Sequence, residues 1–226
     1  LDDIEVMKVE IYSGESYVGD AVLVEGARPD VESAYPGYPK NYRAGWGYML
    51  LTHFLPGGDN GTHTLVARAT DAEGHQVILG SKTIAVDNAH AVKPFGTIDT
   101  PGQGGTAAGD IFMNWGWVLT PPPNTIPKTG ETIDVYVDGG FQGHPVYNTY
   151  RSDVASLFPG YANSGGAAGF YPIYTTSMAN GFHSICWVAT DDAGNTDGIG
   201  SRYFSIENLG SSNTQAVCLT DTHKIY

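Results

Sequence analysis

The sequence predicts an all-β protein: two tandem antiparallel β-sandwiches, the first short of its opening strands, followed by a C-terminal tail strand. Three observations predict it. The chain spells much of itself twice, its apolar residues alternate with a period of two, and its 30 Gly and 13 Pro are spread along all 226 residues. Alternation puts successive side chains on opposite faces of a strand, and frequent Gly and Pro mark turns between short elements.

The duplication sets the domain plan. "DVESAYPGY" (Asp30–Tyr38) returns as "DVASLFPGY" (Asp153–Tyr161), and "NGTHTLVARATDAEGH" (Asn60–His75) returns as "NGFHSICWVATDDAGN" (Asn180–Asn195). "VEIYSGESYVGDAV" (Val9–Val22) aligns with "IDVYVDGGFQGHPV" (Ile133–Val146), and "GSKTIAVDN" (Gly80–Asn88) with "GSRYFSIEN" (Gly200–Asn208). Order is kept and the offset drifts only from 124 to 120 residues, as small loop changes allow. Two copies are too few for a solenoid, so tandem modules are expected. The predicted boundaries are residues 1–92 for the first, 93–208 for the second and 209–226 for the tail.

Each copy opens with an alternating strand. The shared nine-letter motif then reads as one helical turn ending in a Pro-Gly corner. Ser152 or Asp153 is placed to cap it, Pro159 ends it, and Pro29 suits the first helical position of the other copy. Its aromatic residues are expected to plug the end of the sandwich. The long strand "THTLVARATD" turns Leu65, Ala67 and Ala69 inward, as its counterpart turns Ile185, Trp187 and Ala189. "TDAEGH" and "TDDAGN" are Asp/Gly turns followed by another strand, so each copy ends in a hairpin.

"IDVYVDG", "RSDVASLFPGYANS", "NGFHSICWVATDDAGNTDGIGSRYF" and "FGTIDTPGQGG…NWGWVLTPPPNTIP" resemble the immunoglobulin-like modules of large secreted or cell-surface proteins of bacteria. The resemblance covers Phe95–Asn208 closely and Val9–Asn88 more loosely. It implies an antiparallel sandwich of about 100 residues per copy. It also implies an extracellular spacing, adhesion or assembly role without chemistry of its own.

The copies differ in one respect. The second has a lead-in, Phe95–Thr132, with two expected strands in "FGTIDTP" and "GDIFMNWGWVLT", and Leu1–Lys8 is too short to match it. A sandwich without its opening strands exposes backbone groups and an apolar face. The chain is a fragment, or the first module is a reduced variant, or another chain supplies a strand. The tail's "TQAVCLT" is a β-prone segment suited to strand donation, so self-association into a filament is one candidate function. The start at Leu1 in place of Met suggests a processed or trimmed product.

Few residues invite chemistry. Cys186 and Cys218 form no CxxC, and a disulfide between them, within or between chains, would pin the tail with about 3 kcal/mol in an oxidising compartment. Trp46 and Tyr48, like Trp115 and Trp117, stand two apart on a strand, so each pair shares a face. Exposed, they would stack on sugars; buried, they are core or interface. Asn195, Asp197 and Gly198 echo part of an EF-hand loop, but Ala193 and Phe204 occupy ligand positions, so no metal is expected. His63 and His183 follow Asn-Gly turns and are expected to bond them. No nucleophile elbow or phosphate loop occurs, so neither catalytic residues nor a cofactor are expected. Asn60-Gly61-Thr62 is a formal glycosylation sequon.

Charge excludes further partners. Asp and Glu outnumber Lys and Arg 24 to 11, a formal charge of −13, which opposes nucleic acid and anionic membrane surfaces. No apolar run reaches the length of a membrane span. Expected partners are other surface proteins, further copies of the chain or glycans.

Overall fold

A computed structural model describes residues 5–57 and 60–208. The protein is all-β, and it divides into two compact units, one running to Ala91 and one beginning at Val92. The tail, with "TQAVCLT" and Cys218, lies outside the described residues.

The first unit holds β1 (Val6–Ser13), β2 (Ser16–Val24), helix α1 (Pro29–Ala34), β3 (Gly45–Gly47), β4 (Asn60–Asp71) and β5 (Gln76–Asp87). They make a single five-stranded sheet in the order β3-β2-β1-β4-β5. Its core is small: Val9, Ile11, Ala21 and Ala69, with Val18, Leu23, Tyr48 and Ala67 packed against them. β5 forms one edge and exposes the consecutive residues Val77, Ile78 and Leu79.

The second unit begins with the lead-in as β6 (Phe95–Thr100), β7 (Gly105–Ala107) and β8 (Phe112–Leu119). It continues with β9 (Ile133–Val137), β10 (Gly140–Gly143), β11 (Val146–Thr149), helix α2 (Ser152–Leu157), β12 (Ala168–Ile173), β13 (Gly181–Thr190) and β14 (Thr196–Ile206). Two sheets form, β10-β9-β13-β14-β7 and β11-β12-β8-β6. Between them lie Ile98, Val118, Ile133, Val135, Ile185, Trp187 and Phe204, all essentially inaccessible to solvent. β9 and β10 are joined through Asp138 and Gly139, at φ of 50° and 77°. Two successive positive φ values match the right-handed twist of a tight hairpin.

The two units correspond in order, with β9 matching β1, β10 and β11 together matching β2, β12 matching β3, and β13 and β14 matching β4 and β5. α1 and α2 occupy the same place in the repeat, 123 residues apart. The lead-in is what makes the second unit two-layered. β8 joins β12 through pairs such as Gly169 with Gly116 and Tyr171 with Asn114, and β6 joins β8. Among the described residues the first unit has no such strands, so one face of its sheet lacks a second layer.

Three expectations are corrected. The sandwich is not wholly antiparallel, because β7 runs parallel to β14, pairing Gly105 with Phe204. The three-residue strand pairs with Phe204–Ile206 at that sheet edge. Ser152 and Asp153 do not cap α2: the capping position is Arg151, with no side-chain cap, and Asp153 instead grips the Arg151 guanidinium. The aromatic corner does not plug the end of the sandwich. Asn114, Gly116 and Val118 turn inward from β8, so Trp117 faces outward, and Phe158 and Tyr161 pack over it and Phe95 with ring centroids 5.2–5.7 Å apart.

Candidate functional site

The polar residues that recur in both copies hold the backbone or one another. Asp71 Oδ1 accepts the N–H groups of Glu73 and His75 at 2.9 and 2.8 Å. Asp191 Oδ1 accepts those of Ala193 and Asn195 at 3.0 and 2.9 Å. The Tyr48 hydroxyl donates to the Val18 carbonyl, as that of Tyr171 does to the Gln142 carbonyl. Arg28 forks onto Asp30 at 2.8 and 2.7 Å, and Arg151 onto Asp153 at 2.8 and 2.6 Å. The guanidinium hydrogen bonds pull the carboxyl groups of Asp30 and Asp153 down to about 2.

The second unit builds on this shared frame with residues of its lead-in. Arg151 Nη1 donates to Asp99 on β6 at 2.6 Å, and Arg202 Nη2 donates to Thr97 at 2.9 Å. The Trp187 indole N–H donates to Asn114 on β8 at 2.7 Å. The other Asp191 oxygen accepts from Thr120 at 2.9 Å and Asn124 at 3.1 Å, tying the end of the lead-in to the β13–β14 hairpin. Burial pushes the Asp191 carboxyl up, but its hydrogen bonds from Asn195, Thr120 and Asn124 outweigh this and leave it below the usual carboxylate range. The acidic turn is thus filled by N–H and O–H donors of the protein. No cluster of three His, Cys, Asp or Glu able to hold a metal occurs among the described residues.

Among the described residues, nothing in the first unit covers the same positions. Ala67 stands where Trp187 does, and Lys82 where Arg202 does. An apolar groove of about 380 Å³ lies there, lined by Ile11, Trp46, Tyr48, Leu50, Leu65 and Ala67 among others, with Lys82 at its margin. A second groove of about 340 Å³ lies at the aromatic corner, bordered by Val31, Tyr35 and Tyr38. Tyr35 is 55% exposed, whereas Phe158, its counterpart, is 3% exposed beneath the lead-in's aromatics. Both grooves therefore lie where the second unit keeps β6 and β8.

The aromatic pairs named from the sequence fall differently. Trp46 is 41% exposed beside the half-buried Tyr48, both on the groove. Trp117 is 4% exposed under Phe158, and Trp115 lies half-buried with its ring 5.0 Å from Phe170. Cys186 is half-buried on β13 opposite Tyr136 and Ser201, and burial pushes its thiol up. His183 bonds Asp138 and the Ala179 carbonyl beside its Asn-Gly turn, but His63 reaches Ser13 instead. Asn60 of the sequon accepts the Ala89 N–H. Sequence reading missed the Arg28 and Arg151 forks, although both were written in the repeat as Arg-x-Asp.

No family model matches the chain, and no curated protein does. Among solved structures it is similar to the Clostridium thermocellum CbhA fibronectin(III)-like modules, at 16% identity and a TM-score of 0.34 over 94% of this chain and 84% of that one. It is also similar to the endo-beta-1,4-mannanase from Thermotoga petrophila, at 14% identity and a TM-score of 0.35 over 51% of this chain and 20% of that one. A third is the Bacteroides ovatus mixed-linkage glucan utilization locus protein SGBP-B, in complex with a mixed-linkage heptasaccharide, at 12% identity and a TM-score of 0.23. That likeness covers 88% of this chain and 38% of the other. No helix among the described residues is long and apolar enough to cross a membrane.

Proposed function

We propose that the chain is a non-catalytic, extracellular structural module of the bacterial Ig-like kind, with residues 1–92 and 93–208 as its domains and 209–226 as a tail. The observation that carries this reading is the fate of the duplicated polar residues. The Arg-Asp forks and the Asp turns fix local chain geometry, and the tyrosine hydroxyls fasten distant backbone segments, which is the work of a spacer. The composition, acidic and poor in Lys, fits an exported protein. Brief protease treatment of intact producing cells tests it: the chain should be removed from the cell surface, and full protection inside unbroken cells would overturn the location. A disulfide between Cys186 and Cys218 belongs to the same proposal, with Cys218 outside the described residues.

Trp46 favours a second reading, as a carbohydrate-binding module. An exposed indole beside Tyr48 offers a stacking platform of the kind that holds sugar rings. Trp115 and Trp117 are covered by Phe170 and Phe158 and offer none. On a glycan array this reading expects signal that falls at least about tenfold in Trp46→Ala, about 1.4 kcal/mol of binding. Signal unchanged in that variant would remove the groove from sugar recognition. Filament assembly by strand donation remains tied to the tail.

A further inference from the structure

We infer that the outward face of the sheet β10-β9-β13-β14 is the docking surface of the chain's own segment 209–226, which returns across it and sets Cys218 on Cys186. The inference rests on the proposed structural module with its Cys186–Cys218 disulfide, and it names the surface that brings the two sulfurs together. The segment lies outside the described residues, and the surface lies wholly within them.

The face carries a row that is written in both copies. In the second unit Phe141, Tyr136, Cys186 and Ser201 stand side by side on four neighbouring strands. In the first unit Tyr17, Tyr12, Val66 and Ser81 do the same. Each row begins with an edge-on pair of rings, centroids 5.8 Å apart, whose outer ring is half exposed. Next to the row the copies part. In the first unit Arg68 holds its guanidinium 4.5 Å over the Tyr12 ring, and the exposed Ile78 is its cross-strand neighbour. The second unit has Val188 and Gly198 at these two places, again paired. The covering charge and the branched side chain are both gone, and a Cβ added at Gly198 would meet only the Trp187 carbonyl, 4.0 Å away. What remains is an apolar strip with room above it, running past Cys186. The exposed Tyr203 and Phe182 continue it toward the end of β14.

The segment has the reach and the character to fill this strip. Asn208 is pinned where it leaves the sheet: its N–H donates to Asn180 Oδ1 at 2.8 Å and its carbonyl accepts from Asn180 Nδ2 at 3.2 Å. From there Ser201, beside Cys186, is seven residues back (208 to 201), about 23 Å of strand. Cys218 is ten residues on (208 to 218), up to about 33 Å of extended chain. "GSSN" (Gly210–Asn213) can therefore reverse the direction and still bring Cys218 level with Cys186. Ala216 and Thr220 share the Cys218 side of an extended strand and are small enough to let it lie close. One Asp and one Lys leave the segment's side chains without net charge, so a body of −13 does not repel it. A donor disulfide of an oxidising compartment closes the contact. The two thiols give up two protons and two electrons as the Sγ–Sγ bond forms, and the donor is reduced to two thiols.

Titration of the whole chain in glutathione buffers, read by non-reducing mass spectrometry of tryptic peptides, tests this. Cys186 and Cys218 should link within one chain, at an effective concentration at least about tenfold above the millimolar range of a flexible tether. Val188→Arg and Gly198→Ile restore the first unit's residues. Each should lower that concentration by about tenfold, equivalent to about 1.4 kcal/mol, with circular dichroism unchanged. In Cys218→Ser, which cannot form the bond, the segment should still shield Cys186, so iodoacetamide should alkylate it faster once Gly198→Ile is added. Unchanged effective concentrations in both variants, with an unchanged alkylation rate, would overturn the docking surface and leave the disulfide standing. Absence of the link within one chain, or links between chains alone, would overturn both. Neither outcome bears on the protease result at the cell surface.

Discussion

Trp187→Ala is expected to destabilise the second unit by about 3–5 kcal/mol while leaving the first unit unchanged. Trp187 is wholly buried between the two sheets. Its six-membered ring lies against Gly116, where an added Cβ would sit 3.2 Å from Trp187 Cζ3 and 2.8 Å from the Thr97 carbonyl oxygen. The backbone of β8 is thus held close on both sides, and little inward collapse is available to fill the cavity. Truncation also leaves Asn114 Oδ1 without its indole donor, and an unpaired buried acceptor adds to the cost. Urea unfolding followed by hydrogen-exchange mass spectrometry of β9 and β13 would measure the change. Exchange in β1 and β4 serves as the internal control. A loss below about 1 kcal/mol would mean that the two layers are not joined through this residue.

The second large effect is expected at Asp191. Asp191→Ala removes the acceptor for Thr120, Asn124, Asn195 and two backbone N–H groups at once. Hydrogen bonds to a charged acceptor contribute about 1.5–3 kcal/mol, so a loss of about 3 kcal/mol is expected in the second unit. The counterpart in the first unit, Asp71→Ala, should cost less, since that carboxylate holds only its own turn and His75 and accepts from no lead-in residue. The pH dependence has a definite sign. The Asp191 carboxyl lies below its ordinary value in the folded chain. Its contribution is therefore complete above the unfolded value of about 3.9 and is lost as pH falls through the folded one. Acid unfolding of the second unit should lose this component in Asp191→Asn. An unchanged acid limb in that variant would remove Asp191 as its source.

Much of the fold was legible because repeated letters are repeated architecture. The Asp turns, the Pro-Gly corners, the inward faces of β4 and β13 and the lead-in that precedes the second copy could all be read by aligning the chain with itself. What could not be read was how elements cover one another. Two residues apart, Trp115 and Trp117 share a face of β8, but spacing does not say which face, nor that Phe158 closes over one of them. The caps failed for a similar reason. Ser152 and Asp153 have capping chemistry, yet the Arg151 guanidinium competes for the carboxylate and binds it on two atoms. The groove was legible only as a deficit, and its lining needed coordinates, because Tyr48 and Leu65 come from distant parts of the chain.

The bare edge of β5 carries a practical consequence. Val77, Ile78 and Leu79 present uninterrupted apolar side chains on a strand whose outer rim pairs with no other strand among the described residues, whereas the far end of β14, at Phe204–Ile206, pairs with β7. Such rims are templates for ladder growth between molecules. Concentrated stocks should accordingly turn cloudy from the first unit outward, and one lysine introduced at Ile78 should keep them clear.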